Sequence, residues 1–452
     1  MKKVLAAVLA CAMMLSLAAC QGQDPGSNNN DSDQSTAAAV GTDSNASGEA
    51  HLTFSWWGNQ IRNERTQEVL DMYSQEYSGV TFDVQVSDWG DYWNKLATAS
   101  AGHALPDLVQ MDYKYLKQYA DNGMLLDLTP YIESGALDAG GIEEGILKSG
   151  TVDGGVYAIS AGVNAPALLY NKTLLNENGI SIKDNMTMDE FYAVCKEVYE
   201  KTGVKTNISY GLGENYIDYT LRGQGLELYS EDGKALGVSS AEDLQPYFEI
   251  YENGIAEGWL VSPEIFAERS IGTVEQDPLV YGSSPDARSW CNLTYSNAIS
   301  AVWAAADADG IEVEVTTWPS VDPAASNFLK PAMFYSVTVD SKNPDEAVRV
   351  LNYLTNSVEA NQVLLAERGI PASSVVTEGI IESLDEYQKM AVEYINNVVT
   401  PNSSPISAPA PDNSAEVLEL LDQLQEQVCY GQITAVDAAE KLFTEGNKIL
   451  AE

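Results

Sequence analysis

HLTFSWWGNQIRNERTQEVLDMYSQEYSGVTFDVQV, residues 51–86, is the stretch whose pattern decides the fold. His51 to Trp57 alternates, with Leu52, Phe54 and Trp56 on one face; Val80 to Val86 alternates more strictly, with Val80, Phe82, Val84 and Val86 on one side. Period-two alternation marks strands. Between them, Arg62 to Tyr77 carries Val69, Leu70, Tyr73 and Tyr77 at helical spacing, and Gly79 follows. A strand, a helix and a strand in that order imply a crossover and a parallel pair. Asp107 to Met111 supplies a third strand, and a helix from Tyr113 to Asn122 stops at Gly123. The alternation repeats, which predicts an α/β fold with mostly parallel sheet flanked by helices.

A second block opens after the extended stretch Gly162 to Tyr170, where Pro166 resists helix. Thr187 with Glu190 forms a capping box for a helix carrying Phe191, Val194, Cys195 and Val198, ended by Gly203. Ile311 to Trp318 reads as another strand. Asn343-Pro344-Asp345-Glu346 places a cap, a proline at the first helical position and a box-closing glutamate ahead of Val348, Leu351 and Leu354. Helical patterns then run to the end, interrupted by the loop from Pro401 to Pro411.

The chain has 452 residues, 45% of them apolar and 20% charged, which excludes a disordered polymer and predicts two or more lobes. Its 24 basic and 66 acidic residues give a net charge of −42. A polyanion of that size repels phosphate backbones, so no nucleic-acid partner is expected. Lys2 and Lys3 precede an apolar run from Val4 to Leu17, then Ala18, Ala19 and Cys20, the pattern of a secretory signal over residues 1–19. The run is too short to span a bilayer. Leu17-Ala18-Ala19-Cys20 is similar to the lipobox of bacterial lipoproteins, which implies lipidation at Cys20 and a place on the outer face of the cell membrane. Residues 20–50, rich in Ser, Asn, Asp, Gly and Ala, read as a disordered tether. Cys195, Cys291 and Cys429 remain, odd in number and without metal-ligand spacing, so neither a zinc site nor a disulfide framework is expected. Cys195 reads as a core residue.

The catalytic inventory is thin. Histidine occurs only at His51 and His103, which leaves no HExxH and little room for a His-based triad. There is no nucleophile elbow, P-loop or dinucleotide fingerprint, so no cofactor is expected. Asp307-Ala308-Asp309-Gly310 resembles part of a calcium loop, but Ala305 and Thr316 stand where ligands are required, and it reads as a solvated turn. Paired carboxylates leave a glycosidase open. Aromatic residues say more. Four of the eight tryptophans, Trp56, Trp57, Trp89 and Trp93, fall at the carboxyl ends of the first two strands, and in open α/β sheets that edge is where ligands bind. Indole faces beside Asp88, Asp91, Asp112, Asn59 and Arg62 suit a sugar, whose C–H faces and hydroxyl rim need both kinds of surface.

Several short patterns, in order, carry a family resemblance over about residues 52–450. They are Trp56-Trp57-Gly58; Gly102 to Asp107 ahead of Gln110-Met111-Asp112; Gly154 to Tyr157; Asn164 before Tyr170-Asn171-Lys172; Tyr295-Ser296-Asn297; Lys330-Pro331-Ala332-Met333; Glu367-Arg368-Gly369-Ile370-Pro371; and Ile433 to Ala439. The chain resembles the extracellular solute-binding proteins of bacterial ABC sugar importers, the maltodextrin-binding-protein-like family. The resemblance implies a two-lobe periplasmic-binding-protein-like fold joined by hinge crossings near Asn164 to Leu168, near Pro331 to Ser336 and after Pro371. The lobes would be residues 52–165 with 337–374, and 166–330 with 375–452. It implies sugar contacts from Trp57, Asn59 and Arg62 in the first loop, Trp89 and Trp93 in the second, Asp112 and Tyr113 in the third, Asn164 at the hinge, and Tyr216, Tyr295 and Asn297 in the second lobe, with Arg368 near a late crossing. The function implied is capture of an oligosaccharide by a monomer and its delivery to the permease subunits of an ABC importer, without catalysis. Arg62, Arg222 and Arg288 leave room for a uronate. A lipid-anchored glycoside hydrolase and a surface polysaccharide adhesin stand as alternatives.

Overall fold

In the computed structural model, which describes residues 49–208, 213–267, 274–282, 284–411 and 413–451, β1 (Ala50–Trp57) and β2 (Val80–Ser87) run parallel from Ala50 opposite Val80 to Trp57 opposite Ser87. The signal, Cys20 and the tether before Glu49 lie outside the described residues. Helix α1 (Gln60–Glu76) buries Thr66, Val69, Leu70 and Tyr73 against this pair, positions three and four apart that share one face. Helix α2 (Trp89–Ala101) leads to β3 (Leu108–Met111), which joins β1 in parallel on its other side. Helix α3 (Tyr113–Asp121) ends one residue ahead of expectation, with Gly123 in the left-handed region at φ 65°.

The remaining strands are a short hairpin, β4 (Thr151–Val152) and β5 (Gly155–Val156), then β6 (Ile159–Asn164), β7 (Pro166–Asn171), β8 (Cys291–Tyr295), β9 (Val313–Thr316) and β10 (Lys330–Val337). The first sheet has the order β2-β1-β3-β10-β6 and the second β8-β7-β9. The two-lobe α/β architecture is as expected, but the second sheet is antiparallel along both of its ladders where a mostly parallel one was predicted. In each sheet the antiparallel strand is the one arriving from the other: β7 enters between β8 and β9, and β10 enters between β3 and β6. A chain that crosses between lobes meets strands laid down in the opposite sense, and alternation of residues carries no sign of direction. Isolated parallel bridges pair Lys205 with Ser289 and Thr206 with Leu260.

Local signals fared unevenly. Both halves of the Thr187–Glu190 capping box form, and Phe191, Val194, Cys195 and Val198 are buried. The helix Pro344–Asn356 starts where predicted, yet Asn343 makes no side-chain cap. Glu346 is buried instead, accepting from the Tyr73 hydroxyl at 2.7 Å and pairing with Arg349 at 2.8 Å. An interior acceptor for a buried phenol outweighs a surface cap. Val84 and Val86, expected inside, are 38% and 36% exposed because β2 is an edge strand that α1 leaves partly uncovered. The chain passes between the two sheets at β6–β7 and again at β10. β6 passes into β7 at Ala165, β10 returns, and Ile370 bonds Val163 in both directions, at 2.7 and 3.1 Å.

Candidate functional site

Three strand-to-helix turns at the carboxyl edge of the first sheet each deliver a capping residue and an aromatic side chain. Asn59 caps α1 by accepting from the Arg62 backbone at 2.9 Å, Asp88 caps α2 and Asp112 caps α3 through the Lys114 backbone at 2.9 Å. A carboxylate offers about four lone-pair positions, so capping leaves Asp112 with acceptor capacity toward a ligand. Burial raises its carboxyl above the ordinary range, against the pull of the Lys114 backbone and the Lys330 charge.

The turns bring Trp57, Trp89 and Trp93 together, as the sequence suggested. Trp57 stands edge-on to Trp89 at 4.9 Å between ring centroids and lies 5.6 Å from Trp93; Trp89 and Trp93 are 5.4 Å apart; Trp93 overlaps Tyr115 at 4.0 Å. Their roles divide by burial. Trp57 is 9% exposed and belongs to the core under the turns, whereas Trp89 is 44% exposed and offers its ring to solvent. Aromatic pairs at such offsets gain about 0.5–1.5 kcal/mol each beyond area burial, so the nest is rigid.

Beneath it the Trp57 carbonyl accepts from Arg62 Nη1 and from Gln110 Nε2, both at 3.1 Å. Arg62 is also ion-paired with Glu367 at 2.6 Å. Arg368, 4% exposed, donates from Nε to Gln110 Oε1 at 2.9 Å, and its guanidinium lies 5.6 Å from the Tyr335 ring centroid. The two arginines thus brace the floor of the aromatic nest. Nη1 and Nη2 of Arg368 have no acceptor among the described residues.

Across the junction, β8 ends at Tyr295, whose hydroxyl donates to Asn215 Oδ1 at 2.7 Å. Tyr216 is a correction: at 1% exposure it packs on Tyr247 and Trp318 in the second core. Neighbours on a helix diverge by about 100°, and on Gly213–Gly223 Tyr216 turns into the core while the preceding Asn215 meets the Tyr295 hydroxyl. Asn297 is exposed in the turn Ser296–Ala298. Ser296 anchors the first crossing, its Oγ accepting from the Ala165 backbone at 3.0 Å. Asn164, half-buried at the end of β6, is in register with Lys330.

Lys330 escaped the sequence reading, which counted its tetrapeptide among the patterns of the family resemblance and gave the lysine no role at the site. Its Nζ sits 4.7 Å from the Tyr295 ring centroid. Burial lowers its pKa against the opposing pull of Asp112 and Glu214, one carboxylate from each side of the junction. A lone lysine opening a strand at a lobe crossing was the available signal. Glu214 and Asp218, on the second side, are both raised by burial, Asp218 despite Arg222 beside it. Tyr113, whose phenol burial pushes up to about 12, donates to the Ser407 carbonyl at 3.2 Å. Beside that contact a groove of about 570 Å³ runs between Tyr113 and Lys148 on one side and Arg222, Glu227, Ser404 and Ile406 on the other.

The raised carboxylates set a pH dependence. Each binds protons more tightly folded than unfolded, so its contribution to stability grows as pH falls through the folded-state pKa and is complete below the unfolded value of about 4. Melting temperature is expected to rise as pH falls from neutral toward the ordinary carboxylate range of about 4, and less so in Asp218→Asn. An equal rise in the variant would show that Asp218 is not among the groups responsible.

A profile of the bacterial extracellular solute-binding protein family matches residues 68–392. The diacetylchitobiose binding protein DasA of Streptomyces coelicolor is 29% identical over 237 residues, 51% of this chain and 51% of that protein. The chain therefore spans about half the length of this curated relative. An extracellular solute-binding protein family 1 structure from Alicyclobacillus acidocaldarius superposes with a TM-score of 0.80 at 24% identity, covering 90% of this chain and all of that one. A periplasmic oligogalacturonide binding protein from Yersinia enterocolitica gives 0.74 at 20% identity, covering 89% and 99%. With the profile spanning most of the described residues, this chain belongs to the bacterial extracellular solute-binding protein family.

Proposed function

We propose that this protein is the capture subunit of an ABC importer and that it binds an oligosaccharide between its lobes without catalysis. One observation carries the proposal. At the carboxyl edge of the first sheet an indole, Trp89, is held 44% exposed by two other tryptophans, and an exposed, braced ring beside capping carboxylates suits the C–H face and hydroxyl rim of a sugar. Two of the similar proteins bear names of carbohydrate binders, for diacetylchitobiose and oligogalacturonide. In this proposal Trp89, Trp93, Asp112, Tyr113, Asn164, Tyr295 and Asn297 contact sugar, and Trp57, Arg62 and Arg368 position the platform. The segments near Asn164 to Leu168, Pro331 to Ser336 and after Pro371 act as hinges between residues 52–165 with 337–374 and residues 166–330 with 375–452. Closure brings Tyr295 toward the sugar, and the closed monomer is read by the permease. Cys20 carries the lipid that keeps the protein at the outer membrane face, where two or more acyl chains hold firmly.

Native mass spectrometry of the domain from Glu49 onward, mixed with plant, host and starch oligosaccharides, tests the proposal. An adduct of one intact mass is expected. Shortened sugars without an adduct would make the protein a glycoside hydrolase.

A further inference from the structure

Acidic residues outnumber basic ones 66 to 24 in this chain, and many surface cations are held by a carboxylate, as Lys172, Lys183, Lys196 and Lys201 are. The three arginines that left room for a uronate are committed. Arg62 is paired with Glu367. Arg222 donates to Ser326, Ser404 and Ser407, and Arg288 donates from Nε to the Gly282 carbonyl at 3.0 Å. Lys330 is different. Among the described residues no carboxylate lies within 4.0 Å of its Nζ and none accepts a hydrogen bond from it; it has only the Tyr295 ring. It opens β10 at the lobe junction, in register with Asn164. Lys148, on the wall of the groove, and Lys114, on α3, also lack an ion pair among the described residues.

We infer that the oligosaccharide carries uronic acid residues, and that Lys330 takes one carboxylate at the lobe junction while Lys148 faces another along the groove. This rests on the oligosaccharide reading above. The physical reason is closure. When lobes close and expel water, a lysine whose donors have no protein acceptor among the described residues loses the water that satisfied them, which is costly, and a neutral hydroxyl supplies an acceptor without the opposing charge. A carboxylate supplies both. Asp112 and Glu214 lie beyond ion-pairing distance, so they temper the field at Lys330 without consuming its donors; their own acceptor atoms remain for sugar hydroxyls. The net charge of −42 does not forbid an anionic ligand, because at physiological ionic strength exposed charges more than about 8 Å away are largely screened; Asp112 and Glu214 act on Lys330 at closer range and oppose an anion there, and direct contact with Nζ has to outweigh them.

The test compares a 1,4-linked uronate trisaccharide with its carboxyl-reduced counterpart, which keeps the linkage and loses the charge, by titration calorimetry on the domain from Glu49 onward. The acidic sugar is expected to bind at least about tenfold tighter, the scale of one charge-assisted contact. Lys330→Gln is expected to lower the ratio of the two affinities several-fold, leaving the smaller share that Lys148 supplies along the groove, and Lys330→Arg to keep it. A ratio, unlike a single affinity, is unaffected by a fraction of misfolded variant. Equal binding of the two sugars by the native protein, or an unchanged ratio in Lys330→Gln, overturns the assignment. If only neutral oligosaccharides bind, the uronate inference fails and the capture function stands; if no oligosaccharide binds, the capture function fails as well.

Discussion

Trp57→Ala is expected to lower folding stability by about 3–5 kcal/mol, the range for truncating a buried large aromatic, whereas Trp89→Ala is expected to keep its unfolding midpoint and to weaken oligosaccharide binding about tenfold. The two rings are 4.9 Å apart and differ in burial, 9% against 44% exposed. Removing Trp57 takes the central member from a nest that includes Trp93 and Tyr92 and leaves a cavity between α2 and β1. Removing Trp89 uncovers the nest without hollowing it. Urea denaturation followed by circular dichroism reads the first effect, and titration monitored by tryptophan fluorescence reads the second. A native midpoint for Trp57→Ala would mean that the nest collapses to fill the space, and native affinity for Trp89→Ala would move the sugar platform elsewhere.

Gly162→Ala is expected to cost about 3 kcal/mol, the upper part of the usual range for overpacking. A β-carbon there would stand 2.5 Å from the Arg368 carbonyl oxygen and 2.8 Å from the Gly369 carbonyl carbon. Both obstacles are backbone, so relief requires the late crossing to lift from β6 and release the paired Val163 and Ile370. Gly90→Ala is the control. It lies in the first turn of α2, a β-carbon would meet nothing closer than 3.9 Å, and alanine in a helix is favoured by up to about 1 kcal/mol. Paired urea midpoints decide between them. Equal midpoints for the two variants would mean the crossings slide freely over each other.

The elements that were legible are those whose determinants are local. The Thr187 box, the α1 stripe of Val69, Leu70 and Tyr73, and the stop at Gly123 follow from spacing and cap chemistry within a few residues. Strand direction was not legible, because β7 and β10 owe theirs to where the chain comes from. The failed box at Asn343 makes the same point, since Tyr73, far away in sequence, claims Glu346.

For the candidate site, composition pointed to the carboxyl edge of the first sheet, where the structure brings Trp57, Trp89 and Trp93 together beside the capping residues. What it lacked was depth. Asn59, Trp57 and Arg368 share one neighbourhood yet range from exposed to buried. Tyr216 was placed at the site because the family resemblance implies a stacking aromatic there, although the helix turns it inward. Lys330 was missed because a lone lysine opening a strand is a weak signal, and the absence of an ion pair to it among the described residues is visible only in the folded molecule.

The placement of β10 also governs the order of assembly. Its eight residues fill the slot between β3 and β6, so the first 164 residues alone have two unsatisfied ladder edges and no means of closing the sheet. Loop closure between segments so distant in sequence is slow, and open strand edges invite pairing with other chains. A ribosome releasing this polypeptide therefore holds an unfinished sheet until Val337 has emerged, and a fragment ending at Asn171 should remain soluble only in the company of a chaperone.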